Sequence, residues 1–534
     1  MKTARHLAIT AVVLLAAAAT APAFGAAPPK PDRMGVVDTG PYDYGVMGPP
    51  ASPAVVAAAT LAVTNPMAAG PMAPTWDSVQ QNYRTPSWFQ DAKFGIFMHW
   101  GLYSVPAHGP SAAEWYEKHM YAGAATQWHE QNFGPIEKFG YKDFIPLFTA
   151  AKWDPEAWAL LFKKSGARLV MPTAEHHDNF AMWDSAVTPI NAKKMGPKRD
   201  LVGDLAAAVR KQGLKFGVSN HGIENFTFVV PDAAIEARLK AAKADLYDPA
   251  WATFYNVADR SDAAMSRFLT DWVNRNEELI DQYQPDMLWF DNGVNLRVLD
   301  PLKLQVAAYY YNRAKGWNKE VSLGTKFNAY APSNDDTKQI GSIVDFEKVG
   351  GRSPAGIRPG PWMVDDPIGS TWGYSTGMTV SGPAAILGKL IDTVSKGGFY
   401  LLNISPMADG TIPDAQQRTL LEMGAWLDQN GEAIYGTHPW VKFSENGPGG
   451  RGSVGYHFTV KDGALYAIGS AWAGAQAHIG SITPAVGQVA KVALIGSGEA
   501  VTFKQDATGL TVNLPATQPG RYGFVLMIGG LNVM

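Results

Sequence analysis

The stretch ARLVMPTAEHHD, residues 167–178, runs from an apolar strand directly into Glu175, His176, His177 and Asp178. Apolar side chains there favour a buried strand, whereas four polar residues at its end require hydrogen-bonding partners or an opening. The pattern recurs along the chain. KFGIFMHWG (93–101) ends on His99 and Trp100, LKFGVSNHG (214–222) on Asn220 and His221, and DMLWFDNG (286–293) on Asp291. VSLGTKFN (321–328) delivers Lys326, IGSIVDFEKVGG (340–351) delivers Glu347, and GFYLLNISP (398–406) delivers Asn403. Seven strands therefore present polar groups at one end.

Helices are predicted between them. WDPEAWALLFKKSGA opens with Asp154 as N-cap and Pro155 at the first helical position, and it stops at Gly166. DLVGDLAAAVRKQGLKFG repeats the logic and ends near Gly213, and a longer helix breaks before Pro285. Strand–helix alternation with chemistry at the strand C-termini predicts an α/β fold, a (β/α)8-like (TIM-type) barrel, over residues 76–436. From residue 437 to 534 the character changes to short β-type runs separated by Gly, Pro, Asp and Asn. That segment is expected to form a C-terminal antiparallel β-sandwich domain.

The first 26 residues carry Lys2 and Arg5, a short apolar core from Leu7 to Thr20, and small residues before Ala23 or Ala26. This is the pattern of a secretory signal peptide, too short and wrongly flanked for a membrane span. Residues 27–75, rich in Ala and Pro, are expected to be a poorly ordered linker or arm. A periplasmic or secreted protein follows, with no membrane insertion once the signal is removed. Cysteine is absent from all 534 residues, which excludes disulfides, thiolate metal sites and a cysteine nucleophile. The net charge of −3 contains no basic block, so nucleic acid is not an expected partner.

Three chemistries compete for the polar strand ends. Adjacent histidines on a strand point to opposite faces, so His176 and His177 share a metal only if the chain turns there; the spacing is not HExxH. Core histidines bonded to the backbone are a second reading. The third joins two carboxylates. Asp291 and Glu347, on different strands of one face, have the arrangement that flanks a glycosidic bond, one as nucleophile and one as general acid. Tryptophans and tyrosines near the strand ends (Trp100, Trp115, Trp183, Trp289, Trp372, Tyr374) are candidate platforms for sugar rings. Glu114 beside Trp115 is a plausible gripping pair.

Five segments, 88–116, 166–185, 285–293, 370–377 and 394–440, resemble the α-L-fucosidases of glycoside hydrolase family 29. The resemblance runs from about Gln80 to the C-terminus. It implies a retaining exo-glycosidase without metal or other cofactor, acting on fucosylated oligosaccharides or glycoconjugates. By position it implies Asp291 as nucleophile and Glu347 as acid/base, with His99, Glu114, Trp115, His176, His177, His221 and Trp372 lining the pocket. Alternatives are a related exo-glycosidase on a fucose-like galactoside, or a carbohydrate-binding protein on the same scaffold. Three positions depart from the common pattern: Glu175 where lysine is frequent, His221 where tyrosine is frequent, and Lys326 where arginine is frequent.

Overall fold

The computed structural model describes residues 48–109, 112–326, 329–332, 339–347, 353–446 and 454–533. The expected signal peptide lies outside the described residues. Eight parallel strands close into a barrel in sequence order: β1 (Phe94–Met98), β2 (Leu169–Glu175), β3 (Lys215–Asn220), β4 (Met287–Phe290), β5 (Ser322–Lys326), β6 (Ser342–Asp345), β7 (Trp362–Pro367) and β8 (Phe399–Ile404). β8 pairs back onto β1, so the sheet has no free edge. Seven of the eight were legible in the sequence. β7 was not, because Pro359, Gly360 and Pro361 precede it and Asp365-Asp366-Pro367 interrupts its apolar run.

Capping side chains start the first four of the long helices. Pro53–Ala62 is α1, Pro155–Lys164 α2, Leu201–Lys211 α3, Asp262–Tyr283 α4, Asp300–Gly316 α5, Pro383–Ser395 α6 and Asp414–Asn430 α7. Asp154 Oδ1 accepts from the backbone N–H groups of Glu156 (3.0 Å) and Ala157 (3.1 Å) at the start of α2. Asp200 does the same for Gly203 (2.8 Å) at the start of α3. Each bond satisfies a donor that the first turn of a helix leaves unpaired. α4 ends with Gln284 in the left-handed region, immediately before Pro285.

Residues 48–75 differ from the expected poorly ordered arm. Ser52 caps α1, whose Val55, Val56 and Ala59 are buried in the main core against α4 and α5. Small side chains allow this close packing, and side-chain amides hold the chain beyond it. Asn274 Oδ1 accepts from Thr64 N–H (3.1 Å), and Asn312 bonds both N–H and C=O of Met72 (2.9 Å each). Composition indicated a tether; the partners that order it lie more than 200 residues away.

The β-rich tail forms two antiparallel sheets, built from β9 (His438–Glu445), β10 (Tyr456–Lys461), β11 (Ala464–Gly469), β12 (Gln476–Ile479), β13 (Gly487–Leu494), β14 (Thr502–Asp506), β15 (Gly509–Asn513) and β16 (Phe524–Leu531). One sheet has the order β13-β16-β11-β10-β9, the other β12-β15-β14. Trp440, Phe458, Ile479, Val512 and Leu526 belong to the buried core of this region.

Inside the barrel, alternation along each strand sets the site. Phe97, Met171, Met287, Trp289, Ile343, Met363 and Leu401 form one buried cluster in the lumen. Two residues further along, at the same facing, come His99, Thr173, Asp291 (after Trp289), Asp345, Asp365 and Asn403. An apolar floor thus gives way to a polar rim within one strand period.

Candidate active site

Asp291 is the junction of the rim. Its Oδ2 lies 3.0 Å from His221 Nδ1, and its Oδ1 lies 3.1 Å from Lys326 Nζ. A carboxylate only accepts, so His221 carries its proton on Nδ1, and its Nε2 accepts from the Ser219 hydroxyl at 2.9 Å. Burial pushes the Asp291 carboxyl up, but the Lys326 ammonium and His221 outweigh it and hold it well below the ordinary carboxylate range.

Lys326 binds more than one carboxylate. Its Nζ is 3.1 Å from Asp291, 3.1 Å from Glu347 Oε2 and 3.6 Å from Asp365. Burial favours loss of its proton; Asp291, Asp365 and Glu347 together reverse this and hold it charged, well above its usual range. Asp345 accepts at both oxygens, from Trp289 Nε1 (2.7 Å) and from the Asp365 backbone N–H (3.0 Å). Burial drives Asp345 up to about 7 and raises Asp365, beside it, well above the ordinary carboxylate range. The two buried carboxyls, joined through the Asp365 backbone N–H, titrate as a pair.

The opposite arc is built of imidazoles. His99 Nδ1 lies 2.8 Å from Asn403 Oδ1, which also accepts from His99 N–H at 2.9 Å. His177 Nδ1 lies 3.1 Å from the His221 carbonyl, while its Nε2 is 3.8 Å from Asp291. Both rings are therefore fixed as Nδ1–H tautomers, which leaves Nε2 as an acceptor. His176 stacks on His221 at 4.8 Å, and its Nδ1 has no partner. Burial lowers all four: His99 and His176 fall well below the ordinary histidine value, His221 falls too, and His177 drops to about 3. All four are neutral at physiological pH.

Glu114 and Trp372 close the rim beside His99. Glu114 Oε2 accepts from Gly373 N–H at 3.0 Å, and burial raises this carboxyl to about 7. A Cβ at Gly373 would come within 2.9 Å of the Tyr103 ring and 3.1 Å of Glu114 N, so only glycine allows this approach. Trp372, half-buried, lies 5.2 Å from the His99 ring and 5.7 Å from Lys326 Nζ. Trp115, also half-buried, meets His177 edge-on at 6.2 Å, with Lys118 over its face.

All nine expected site residues thus belong to one rim. Some expected platforms do not. Trp183 is fully buried with its Nε1 on Glu278, Trp100 packs among Trp153 and Trp158, and Trp289 lies in the barrel lumen. Glu175 pairs with Arg275 at 2.9 Å behind the rim. Asp345, Asp365 and Glu224 were missed. Asp365 is two residues beyond Met363 and was detectable by alternation once β7 was recognised. Glu224 is fully buried with both oxygens unpaired, 3.8 Å from His177 Nδ1, and burial raises it well above the usual range.

His99, His176 and His221, and likewise His177, His221 and Asp291, bring ligand atoms within 4.8 Å of one another. The donor set suits a transition ion. However, both nitrogens of His221 and the Nδ1 atoms of His99 and His177 are already committed to protein partners.

A rim of neutral imidazoles, half-buried tryptophans and a lysine-bridged carboxylate pair suits a small polyhydroxylated ring. The family description "alpha-L-fucosidase" matches residues 59–432, well over half of the chain. The chain belongs to the α-L-fucosidase family. Among its relatives, rat tissue α-L-fucosidase is 31% identical over 457 residues, covering 84% of this chain and 90% of the rat protein. Human tissue α-L-fucosidase is 30% identical over 472 residues, covering 84% and 88%. The crystal structure of Thermotoga maritima α-fucosidase in complex with fucose is 31% identical, with a TM-score of 0.68, and spans 86% of this chain and all of that one. Within the α-L-fucosidase family, then, this chain builds its charged arc around a lysine.

Proposed function

We propose that this protein is a retaining, exo-acting α-L-fucosidase that removes terminal α-L-fucosyl residues from glycans, with Asp291 as nucleophile and Glu347 as acid/base. The observation that carries the reading is the shared lysine. Asp291 Oδ1 and Glu347 Oε2 each lie 3.1 Å from Lys326 Nζ, so these oxygens are no further apart than twice that distance. Retaining glycosidases hold their carboxyl groups about 5–5.5 Å apart, whereas inverting ones need about 6.5–9.5 Å to admit a water.

In the first step an Asp291 oxygen bonds to the anomeric carbon as the glycosidic C–O bond breaks, and Glu347 gives its proton to the departing oxygen. In the second, Glu347 takes a proton from water, the water oxygen bonds to the same carbon, and Asp291 leaves as carboxylate. Two inversions give net retention. His221 and Lys326 keep Asp291 ionised for the attack. His99 and His177 offer Nε2 acceptors to ring hydroxyls, and Trp372 and Trp115 offer apolar faces. Export by residues 1–26 would place the enzyme in the periplasm or outside the cell; no helix among the described residues is long and apolar enough to cross a membrane.

The test of the two roles is covalent trapping. Incubation with a 2-deoxy-2-fluoro-fucosyl fluoride, followed by peptide mass spectrometry, is expected to leave the sugar on Asp291. An adduct on Glu347 or another carboxylate would overturn the assignment.

A further inference from the structure

We propose that the N-terminal arm is a positioning element for the nucleophile turn, acting through Gly48 and Pro49, which wedge between the loops that follow β3 and β4. This rests on the reading of Asp291 as nucleophile. Gly48 and Pro49 are buried. A Cβ on Gly48 would fall 2.8 Å from Leu296 Cδ1, 2.9 Å from Gly293 Cα and 3.1 Å from Gly293 O. The arm backbone therefore lies directly against the turn that starts at Asp291, with Gly293 in the left-handed region at φ 85°. On the other side, Thr227 Oγ1 lies 3.5 Å from the Gly48 carbonyl and 3.3 Å from that of Glu224. Thr227 belongs to the short helix Asn225–Phe228, four residues after His221.

The arm thus touches both loops whose side chains meet in the His221–Asp291 hydrogen bond. The turn has few fastenings of its own. Asn292 Oδ1 and both amide atoms of Asn295 are buried without a partner. Its internal backbone bond, Leu296 N–H to Gly293 O, is long at 3.3 Å, and Lys303 Nζ reaches the Val294 carbonyl at 3.2 Å. Val294 and Leu296 root the turn in the main core, and the arm packs over its backbone at Gly293. The wedge is itself anchored, since Ser52 caps α1 and Thr270 Oγ1 holds the Ala59 carbonyl at 3.1 Å. The family match begins at residue 59, so the wedge lies outside the matched span.

Three variants test this: Gly48→Ala, Gly48→Val, and a chain that begins at Ser52 and keeps the α1 cap. Each is assayed on an aryl α-L-fucoside for kcat, KM and the acid limb of the pH profile, with melting temperature alongside. A displacement of the turn by about 1 Å costs up to ~100-fold in rate. Gly48→Val and the shortened chain are expected to lose about 10- to 100-fold in kcat with KM within about twofold, Gly48→Ala falling between. The acid limb should move to higher pH as Asp291 separates from Lys326 and His221. Unchanged kcat in Gly48→Val, or a loss that follows melting temperature with an unmoved pH profile, would overturn the proposal. If the shortened chain does not fold, the two Gly48 variants decide. Failure of the underlying reading is separately visible, because Asp291→Asn would then retain activity.

Discussion

The two arcs of the barrel rim are built on opposite electrostatic principles. From β1 to β3 the rim presents His99, His176, His177 and His221, all buried and all neutral. From β5 to β7 it presents Lys326, Asp345, Glu347 and Asp365, bound into one ionic network. Asp291, immediately after β4, touches both, through His221 and Lys326. On the proposed assignment, the neutral arc binds a substrate whose hydroxyls carry no charge, and the charged arc serves a reaction in which charge develops. Binding and chemistry would then be separated by strand number.

Mutations in the two arcs should therefore differ in kind. The largest effect belongs to the residue both arcs share. Asp291→Gly is expected to lower kcat by roughly 10⁴-fold or more on aryl fucosides, with partial recovery when azide supplies an external nucleophile. Recovery without a glycosyl azide product would argue against its role. Next comes Lys326→Met, which leaves Asp291 and Asp365 without their cation. Activity should fall about 100-fold, and stability by about 3–5 kcal/mol, from loss of a buried charge partner. The sign of the pH effect is fixed: Lys326 depresses Asp291, so removing it raises that carboxyl and moves the acid limb of kcat/KM to higher pH.

On the histidine arc the expected loss is one of binding. His177→Gln should raise KM about tenfold, the cost of roughly one hydrogen bond, with kcat changed much less. A kcat collapse in this variant would erase the division between the arcs.

The smallest effects are on how stability changes with pH, and they carry opposite signs. An unfolded histidine titrates near 6.5, whereas His177 in the fold titrates at about 3. Between those values the unfolded chain binds more protons, so stability rises with pH, and His177→Gln should flatten that rise. Asp345 is raised to about 7 from 3.8. Between those values the folded chain binds more protons, so stability falls as pH rises, and Asp345→Asn should flatten that fall. Melting temperature between pH 4 and 8 reads both slopes.

The histidine arc was fully legible in the sequence, and the charged arc only in part. His99, His176, His177 and His221 each stand at or within a few residues of the end of an apolar run, so strand and side chain are recognised together. Lys326 and Glu347 were visible for the same reason. Asp365 was hidden because β7 carries its acidic pair inside the strand, which removes the apolar signature that marks the others. The Asp345–Asp365 contact and the three-way grip of Lys326 are products of closure: they join β5, β6 and β7 in space and have no local signal. The arm shows the converse limit. Its Ala/Pro composition reads as a tether, whereas core packing of α1 and distant partners such as Asn274 and Asn312 make it ordered.

The most direct measurement is proton NMR of the first fucose released from an aryl α-L-fucoside by the purified protein, with Asp291→Asn as control. Two carboxylates bridged by one lysine predict α-L-fucose first, mutarotating later to the β anomer, and no release by the variant. Initial β-L-fucose would mean direct attack by water and carboxyl groups held further apart than Lys326 permits, and would contradict the assignment of Asp291 and Glu347.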